Sequence, residues 1–254
     1  MPRLCIDGRS LHYRTTGDQS VGPSDLVFLH EGLGSAELWR SFPDDVAAQT
    51  GRRAVVYSRY GHGWSDTLES PRSPDFMHRE GLVVLPELLG RLSVNCPVLV
   101  GHSDGASISI VHAGSGHEVA GLVLLAPHVF VEEVSIAGLE AAWRRFESTD
   151  LVTRMAKYHA DPERTFRGWG EVWRSPEFRA WNIEEYLSTI TSPVLLIQGK
   201  QDDYGTVAQL DSIAGQVAGD VEVLRLDDCG HSPHLDRPDA VLDAVVGFVE
   251  GLRT

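Results

Sequence analysis

A chain of 254 residues, 42% hydrophobic and 23% charged, can bury one large core and fits a single α/β domain, or a domain with an insertion, better than two independent domains. Its 22 Lys and Arg against 36 Asp and Glu leave a formal charge of −14, a surface that repels nucleic acid and anionic membranes. No apolar run reaches membrane-spanning length, and the N-terminal MPRLCIDGRSLHYRTTG has no signal-peptide core, so the expectation is a soluble, cytoplasmic protein whose Cys5, Cys96 and Cys229 are reduced thiols.

The N-terminal segment reads as a hairpin. Six strand-like runs follow in order: DLVFLH (25–30), RAVVYS (53–58), PVLVGH (97–102), GLVLLA (121–126), SPVLLIQ (192–198) and DVEVLRL (220–226). Most are Val/Leu-rich with little alternation, the pattern of strands buried on both faces. Helix candidates lie at 36–49, 75–91, 104–115, 206–218 and 237–252, and Thr206 with Gln209 matches a capping box opening the fourth. Strands alternating with helices predict a mainly parallel sheet covered on both sides, with right-handed crossovers. Between Ala126 and Ser192 the rhythm stops. VEEVSIAGLEAAWRRFES, DLVTRMAKYHAD and PEFRAWNIEEYLSTI carry helical patterns instead. The expected organisation is a core of 1–127 and 191–254 with an all-helical insertion at 128–190. Trp143, Trp169, Trp173 and Trp181 fall in that interval. Each reads either as packing between insertion and core or as part of an aromatic wall above a pocket.

In such a sheet, ligands gather at the carboxyl ends of the strands. Three segments there carry the residue types of nucleophilic catalysis: Ser103 in LVGHSDGASIS, Asp202 and Asp203 in QGKQDDYGT, and His231 in LDDCGHSPH. A serine hydroxyl needs a base to take its proton, and the base needs a carboxylate to fix its tautomer. Gly101 and Gly105 flank Ser103 and suit a sharp strand-to-helix turn. His231 and His234 have H-x-x-H spacing but no third ligand type nearby, so no metal is expected. His30, His102 and His128 adjoin strand ends as pocket or structural residues, and Cys229 reads as an inert buried thiol.

The order Ser, Asp, His, with G-x-S-x-G as GHSDG, resembles the α/β-hydrolase superfamily over essentially the whole chain. HEGLGS (30–35) resembles its oxyanion loop, SRYGHGWSD (58–66) its Gly-rich turn, CGHSPHLDRPDAVLDAVVGFVE its histidine loop and final helix, and the helical interval its cap. The resemblance implies an α/β-hydrolase fold with Ser103 on a strained elbow. It places the acid at Asp202, three residues beyond Gly199, and leaves Asp203 to the loop. The oxyanion donors it implies are the backbone N–H groups of Asp104 and Gly32, with Leu33 as the alternative to Gly32. Glu31 departs from the pattern, which usually has Gly there. It reads as a structural carboxylate bonding the loop's own N–H groups, or as a recognition group for a cationic or hydroxyl-bearing substrate. Glu31, Leu33, His128 and the four tryptophans are the expected pocket residues. The expected function is a cofactor-independent serine hydrolase acting on a small carboxylic ester or related acyl compound, such as a thioester, lactone or activated C–C bond. The alternatives are a non-hydrolytic enzyme on the same residues (a cofactor-free haloperoxidase or a lyase) and a ligand receptor with a vestigial triad. The expected partner is a small-molecule substrate, and the sequence leaves the oligomeric state open.

Overall fold

The computed structural model describes residues 2–17, 24–69 and 71–252. The N-terminal segment forms the hairpin β1 (Arg3–Ile6) and β2 (Arg9–Thr16), antiparallel to each other. Every residue is buried in β3 (Leu26–Leu29), β4 (Ala54–Tyr57), β5 (Val98–His102), β6 (Gly121–Leu125) and β7 (Val194–Gly199). The edge strand β8 (Val221–Leu226) is half exposed. The sheet order is β1-β2-β4-β3-β5-β6-β7-β8, and every pair from β4 to β8 is parallel.

Alternate strand residues enter two apolar cores, one on each face, as the strand period of two demands. Leu26, Phe28, Val100, Val123 and Ile197 pack with α1 (Phe42–Thr50) and α9 (Pro238–Gly251). Val27, Leu29, Leu99, Leu124 and Leu196 pack with α4 (Asp104–Gly114) and α8 (Val207–Gln216) on the opposite face. Each such Val or Leu is worth about 1.5–3 kcal/mol of transfer free energy.

Three predicted helices differ in detail. The helix expected from 36 begins only at Phe42, with Pro43 in its first turn. The 75–91 helix is broken into α2 (Phe76–Arg79), a π-turn at Glu80–Val84 and α3 (Leu85–Arg91), a widening just ahead of Pro86, whose ring would crowd a regular turn. Thr206 does cap α8, accepting from the Ala208 N–H at 3.2 Å, but Gln209 does not close the expected box. Gln209 is fully buried and bonds Phe130 O, the Val129 N–H and Glu132, while Glu132 takes the Thr206 N–H at 2.9 Å. A carboxylate from a distant segment has displaced the local partner.

Between β6 and β7 the described residues form α5 (Glu133–Ser148), α6 (Leu151–Met155), α7 (Pro162–Arg174) and two 3₁₀ turns, at Pro176–Ala180 and Glu184–Thr189. The only β pairing there among described residues is a single bridge, Phe130 to Asn182. From β3 the chain steps one way to β4 and then returns to β5 on its other side, so the loops after β3 and β5 face each other at a topological switch point.

Candidate active site

Ser103 sits between β5 and α4 with φ +51° and ψ −116°, a conformation costly for a residue with a side chain and concentrated at functional sites. The turn is as tight as the glycines suggest. A β-carbon on Gly105 would lie 2.0 Å from Leu29 O, and one on Gly101 would lie 2.5 Å from Gly105 O. The helix therefore passes directly over the strand ends, and Ser103 is lifted to their rim.

Two loops converge on it. His231, after β8, brings Nε2 to 2.9 Å from Ser103 Oγ. Asp202, after β7, lies 2.9 and 3.0 Å from His231 Nδ1 through its two oxygens. A carboxylate only accepts, so Nδ1 carries the proton and Nε2 is left to accept from Ser103. Asp202 is held in place by the Tyr204 N–H at 2.8 Å, the Gly205 N–H at 3.3 Å and Gln198 Nε2 at 3.2 Å. Burial opposes its ionisation, but the bond and charge of His231 and the Tyr204 N–H outweigh it and hold the carboxyl at about 2. Asp203 is exposed and plays no part in this chain of bonds.

The loop after β3 is fixed by its carbonyls. His30 Nδ1–H donates to Glu31 O at 2.7 Å, His62 Nε2–H to Gly32 O at 2.9 Å, and His159 Nε2–H to Leu33 O at 3.0 Å. The second ring nitrogen accepts from the Arg59 N–H in His30 and from the Gly63 N–H in His159, while His62 Nδ1 lies 3.0 Å from both Arg72 Nη2 and Tyr60 O. The His30 and His159 rings must then be neutral. Burial lowers the pKa of all three, in agreement. Among the described residues, the N–H groups of Gly32, Leu33 and Asp104 are left without an acceptor. Gly32 also gives room: a β-carbon there would stand 2.1 Å from Trp169 Nε1.

Glu31 is 28% exposed, and its Oε2 lies 3.5 Å from Nδ1 of the buried His102. His102 Nε2–H donates to the His231 carbonyl at 2.6 Å. Burial disfavours charge on His102, yet Glu31 outweighs it and raises the pKa. Glu31 in turn is held well below the usual carboxylate range, its burial overcome by His102 and by its own N–H. The carboxylate thus faces the His102 ring as well as the loop.

A cavity of about 230 Å³ opens over Ser103. Glu31, Gly32, Leu33, Asp104, His128, Trp169, Trp173 and His231 line it. Trp143 and Trp181, expected beside them, lie off the cavity. Trp143 packs on Phe166 under the Arg174 guanidinium, 4.4 Å from its ring, and Trp181 stacks on Phe178. Trp169 and Trp173 point inward together because they stand four apart on α7. Ser135 and Leu139, four apart on α5, and Tyr204 and Ser232 also line the cavity and were missed. Among the described residues no group of three or more His, Cys, Asp or Glu could hold a metal, and no helix is long and apolar enough to cross a membrane. Cys5, Cys96 and Cys229 are free thiols.

A family model described as "Alpha/beta hydrolase family" matches residues 26–244. A proline iminopeptidase of Lactiplantibacillus plantarum is 42% identical over 60 residues, 24% of this chain and 21% of that protein. The sn-1-specific diacylglycerol lipase ABHD11 of Danio rerio is 25% identical over 193 residues, 76% of this chain and 55% of that one. The chain thus spans about half or less of the length of these curated relatives. The solved structure of Est816, described as an N-acyl homoserine lactone degrading enzyme, superposes with a TM-score of 0.73 at 25% identity, covering 97% of this chain and 100% of that one.

Proposed function

From the premise that the chain belongs to the alpha/beta hydrolase family, we propose that it is a cofactor-independent serine hydrolase acting on a small carboxylic ester or related acyl compound. The observation that carries this reading is the unbroken line of bonds from Asp202 through His231 to Ser103, opening onto a largely apolar cavity. His231 Nε2 takes the Ser103 proton as Oγ adds to the substrate carbonyl. The N–H groups of Gly32 and Asp104 receive the oxyanion. The intermediate collapses, the alcohol leaves with the proton from His231, and water activated by the same nitrogen releases the acid. The ionised Asp202 stabilises the imidazolium formed in each half-reaction.

Glu31 has a structural role in this scheme. Its carboxylate is turned toward the buried His102 ring, 3.5 Å away, which draws its charge from the oxyanion one residue along. A cavity of about 230 Å³ is below the usual range for drug-sized ligands and suits a short acyl group. The likeness to Est816 adds lactones to the substrates worth trying. The same proposal takes residues 128–190 as a cap on a core of 1–127 and 191–254, and a cytoplasmic location from the unpaired thiols.

The test is a fluorophosphonate, which phosphonylates an activated serine. The expected result is one adduct, at Ser103 by peptide mass spectrometry, together with turnover of aryl esters that declines with acyl length. A folded protein that takes up no label and cleaves no ester or lactone would sink the reading.

A further inference from the structure

The two walls of the oxyanion hole come from distant parts of the chain. One is loop 30–33 after β3, the other the first turn of α4 at Asp104. Such a hole works only if both donors are in place before charge develops, and a misplacement of about 1 Å can cost about 10²-fold in rate.

Arg59 lies between the walls with no exposed surface. Its Nη2 donates to Glu31 O at 2.8 Å, reaches His30 O at 3.4 Å and pairs with Asp104 Oδ2 at 3.3 Å. Its backbone N–H donates to His30 Nε2 at 3.0 Å, and the far side of that ring also holds Glu31 O. Nε and Nη1 have no hydrogen-bond partner among the described residues. Every direct bond of this guanidinium therefore goes to one wall or the other. A buried cation acting as packing alone would satisfy its five donors more evenly.

Peptide geometry gives these bonds a direction. The Glu31 carbonyl and the Gly32 N–H belong to one planar trans peptide unit, in which C=O and N–H point opposite ways. Pulling the Glu31 oxygen toward Arg59 aims the Gly32 N–H away from it. The same nitrogen holds the carboxylate of Asp104, whose backbone N–H is the second donor.

We propose that Arg59 is a positioning residue for acyl transfer: through Nη2 it clamps the oxyanion loop to the nucleophile-bearing helix and sets the placement of the Gly32 and Asp104 N–H groups. This rests on reading Ser103 as the nucleophile. Arg59 touches no reacting atom, and its effect belongs to the transition state, not to substrate binding.

The experiment compares wild type, Arg59→Lys and Arg59→Gln on one aryl ester and on two ketones of the same shape. A trifluoromethyl ketone adds Ser103 Oγ to its carbonyl carbon, passes the serine proton to His231 and leaves an oxyanion in the hole. The methyl ketone binds without forming that adduct. Arg59→Gln should lower kcat by about 10²–10³, the loss seen when one oxyanion donor is removed, with KM within about threefold. Its affinity for the trifluoromethyl ketone should fall in parallel, while that for the methyl ketone stays within about threefold. Arg59→Lys keeps the charge and should recover part of the loss. A kcat within threefold of wild type, or equal losses for both ketones, would overturn the proposal. If Arg59→Gln does not fold, Asp104→Asn keeps the backbone N–H and removes the ionic tie. It should lower kcat and trifluoromethyl ketone affinity at least about tenfold, and an unchanged kcat overturns the proposal just as directly. A wild-type chain that forms no adduct at Ser103 sinks the hydrolase reading and this inference together. Adduct formation with unchanged Arg59→Gln kinetics sinks only the inference.

Discussion

Ser103, Asp202 and His231 hang from β5, β7 and β8, strands held in the continuous parallel ladder of the sheet. Ser135, Leu139, Trp169 and Trp173 face the same cavity from α5 and α7, helices tied to the rest by side chains and scattered bonds such as Ser135 Oγ to Tyr204 O and Thr165 Oγ1 to Gly61 O. The sheet edge supplies polar groups fixed to within hydrogen-bond tolerance. The helices supply apolar surface, where volume matters more than angle. Damage to the first region should therefore appear in rate, and damage to the second in which substrates fit.

The sharpest break is at the proposed nucleophile. Ser103→Ala should lower kcat by about 10⁴–10⁶ while the fold survives, since only a hydroxyl is lost. Near wild-type turnover by the folded variant would remove the sheet edge from the chemistry. Next comes the proposed acid. Asp202→Asn should cost about 10⁴ in kcat by favouring the wrong histidine tautomer, and Asp203→Asn less than about tenfold. The reverse ranking, from steady-state kinetics, would mean that the two loop aspartates trade places in solution.

A third test uses pH, and it loads mainly on the sheet side. Burial lowers the pKa of His30, His62, His112, His128, His159 and His234, to about 4 for His112 and about 3 for His128 and His234. The folded chain keeps these rings neutral, whereas the unfolded chain protonates them below about pH 6.5. The unfolded state then binds more protons, so stability is fully present above about 6.5 and lost as pH falls toward the folded values. Each histidine contributes up to about 1.4 kcal/mol per pH unit, and His102, whose pKa is raised, runs the other way. Urea unfolding should show a loss of several kcal/mol between pH 7 and 5, a large share of a typical 5–15 kcal/mol. His112→Asn, away from the cavity, should make that slope shallower. A flat profile would show that these rings are not neutral in the folded chain.

The smallest effects belong to the helices. Trp169→Ala and Trp173→Ala should shift the ranking of acyl chain lengths by about tenfold, the scale of discrimination an apolar pocket offers. Trp143→Ala and Trp181→Ala should leave the ranking alone, with Trp181→Ala costing about 3–5 kcal/mol in stability as a buried aromatic. A ranking changed by all four, or by none, would erase the distinction between wall and packing.

The same contrast governs what could be read from the sequence. DLVFLH and PVLVGH declare buried strands by continuous apolar character, and GHSDG declares the elbow because close approach excludes side chains at Gly101 and Gly105. Strand order then brings three distant loops to one edge. The helical interval hides its orientation. Four tryptophans of one type divide into two inside and two outside, and only helical phase, Trp169 with Trp173 and Ser135 with Leu139, carries the signal. Gln209 was misassigned because a capping box is a local pattern, and a buried amide bonds whatever the tertiary fold brings to it. Two of the histidines that grip loop 30–33 carry no local signature: His62 and His159 lie 30 and 126 residues from the carbonyls they hold.

The contact between position 32 and Trp169 has an evolutionary consequence. Since a β-carbon at Gly32 would overlap the indole nitrogen, any side chain gained there is penalised until residue 169 becomes smaller. The order of substitution then matters, a case of sign epistasis between a glycine of the loop after β3 and a residue 137 positions away along the chain. A selection for bulkier substrates that randomises position 32 alone should return glycine. One that randomises both positions should recover alanine or serine at 32 only alongside a small residue at 169, so the route to a reshaped pocket runs through the helix before it reaches the loop.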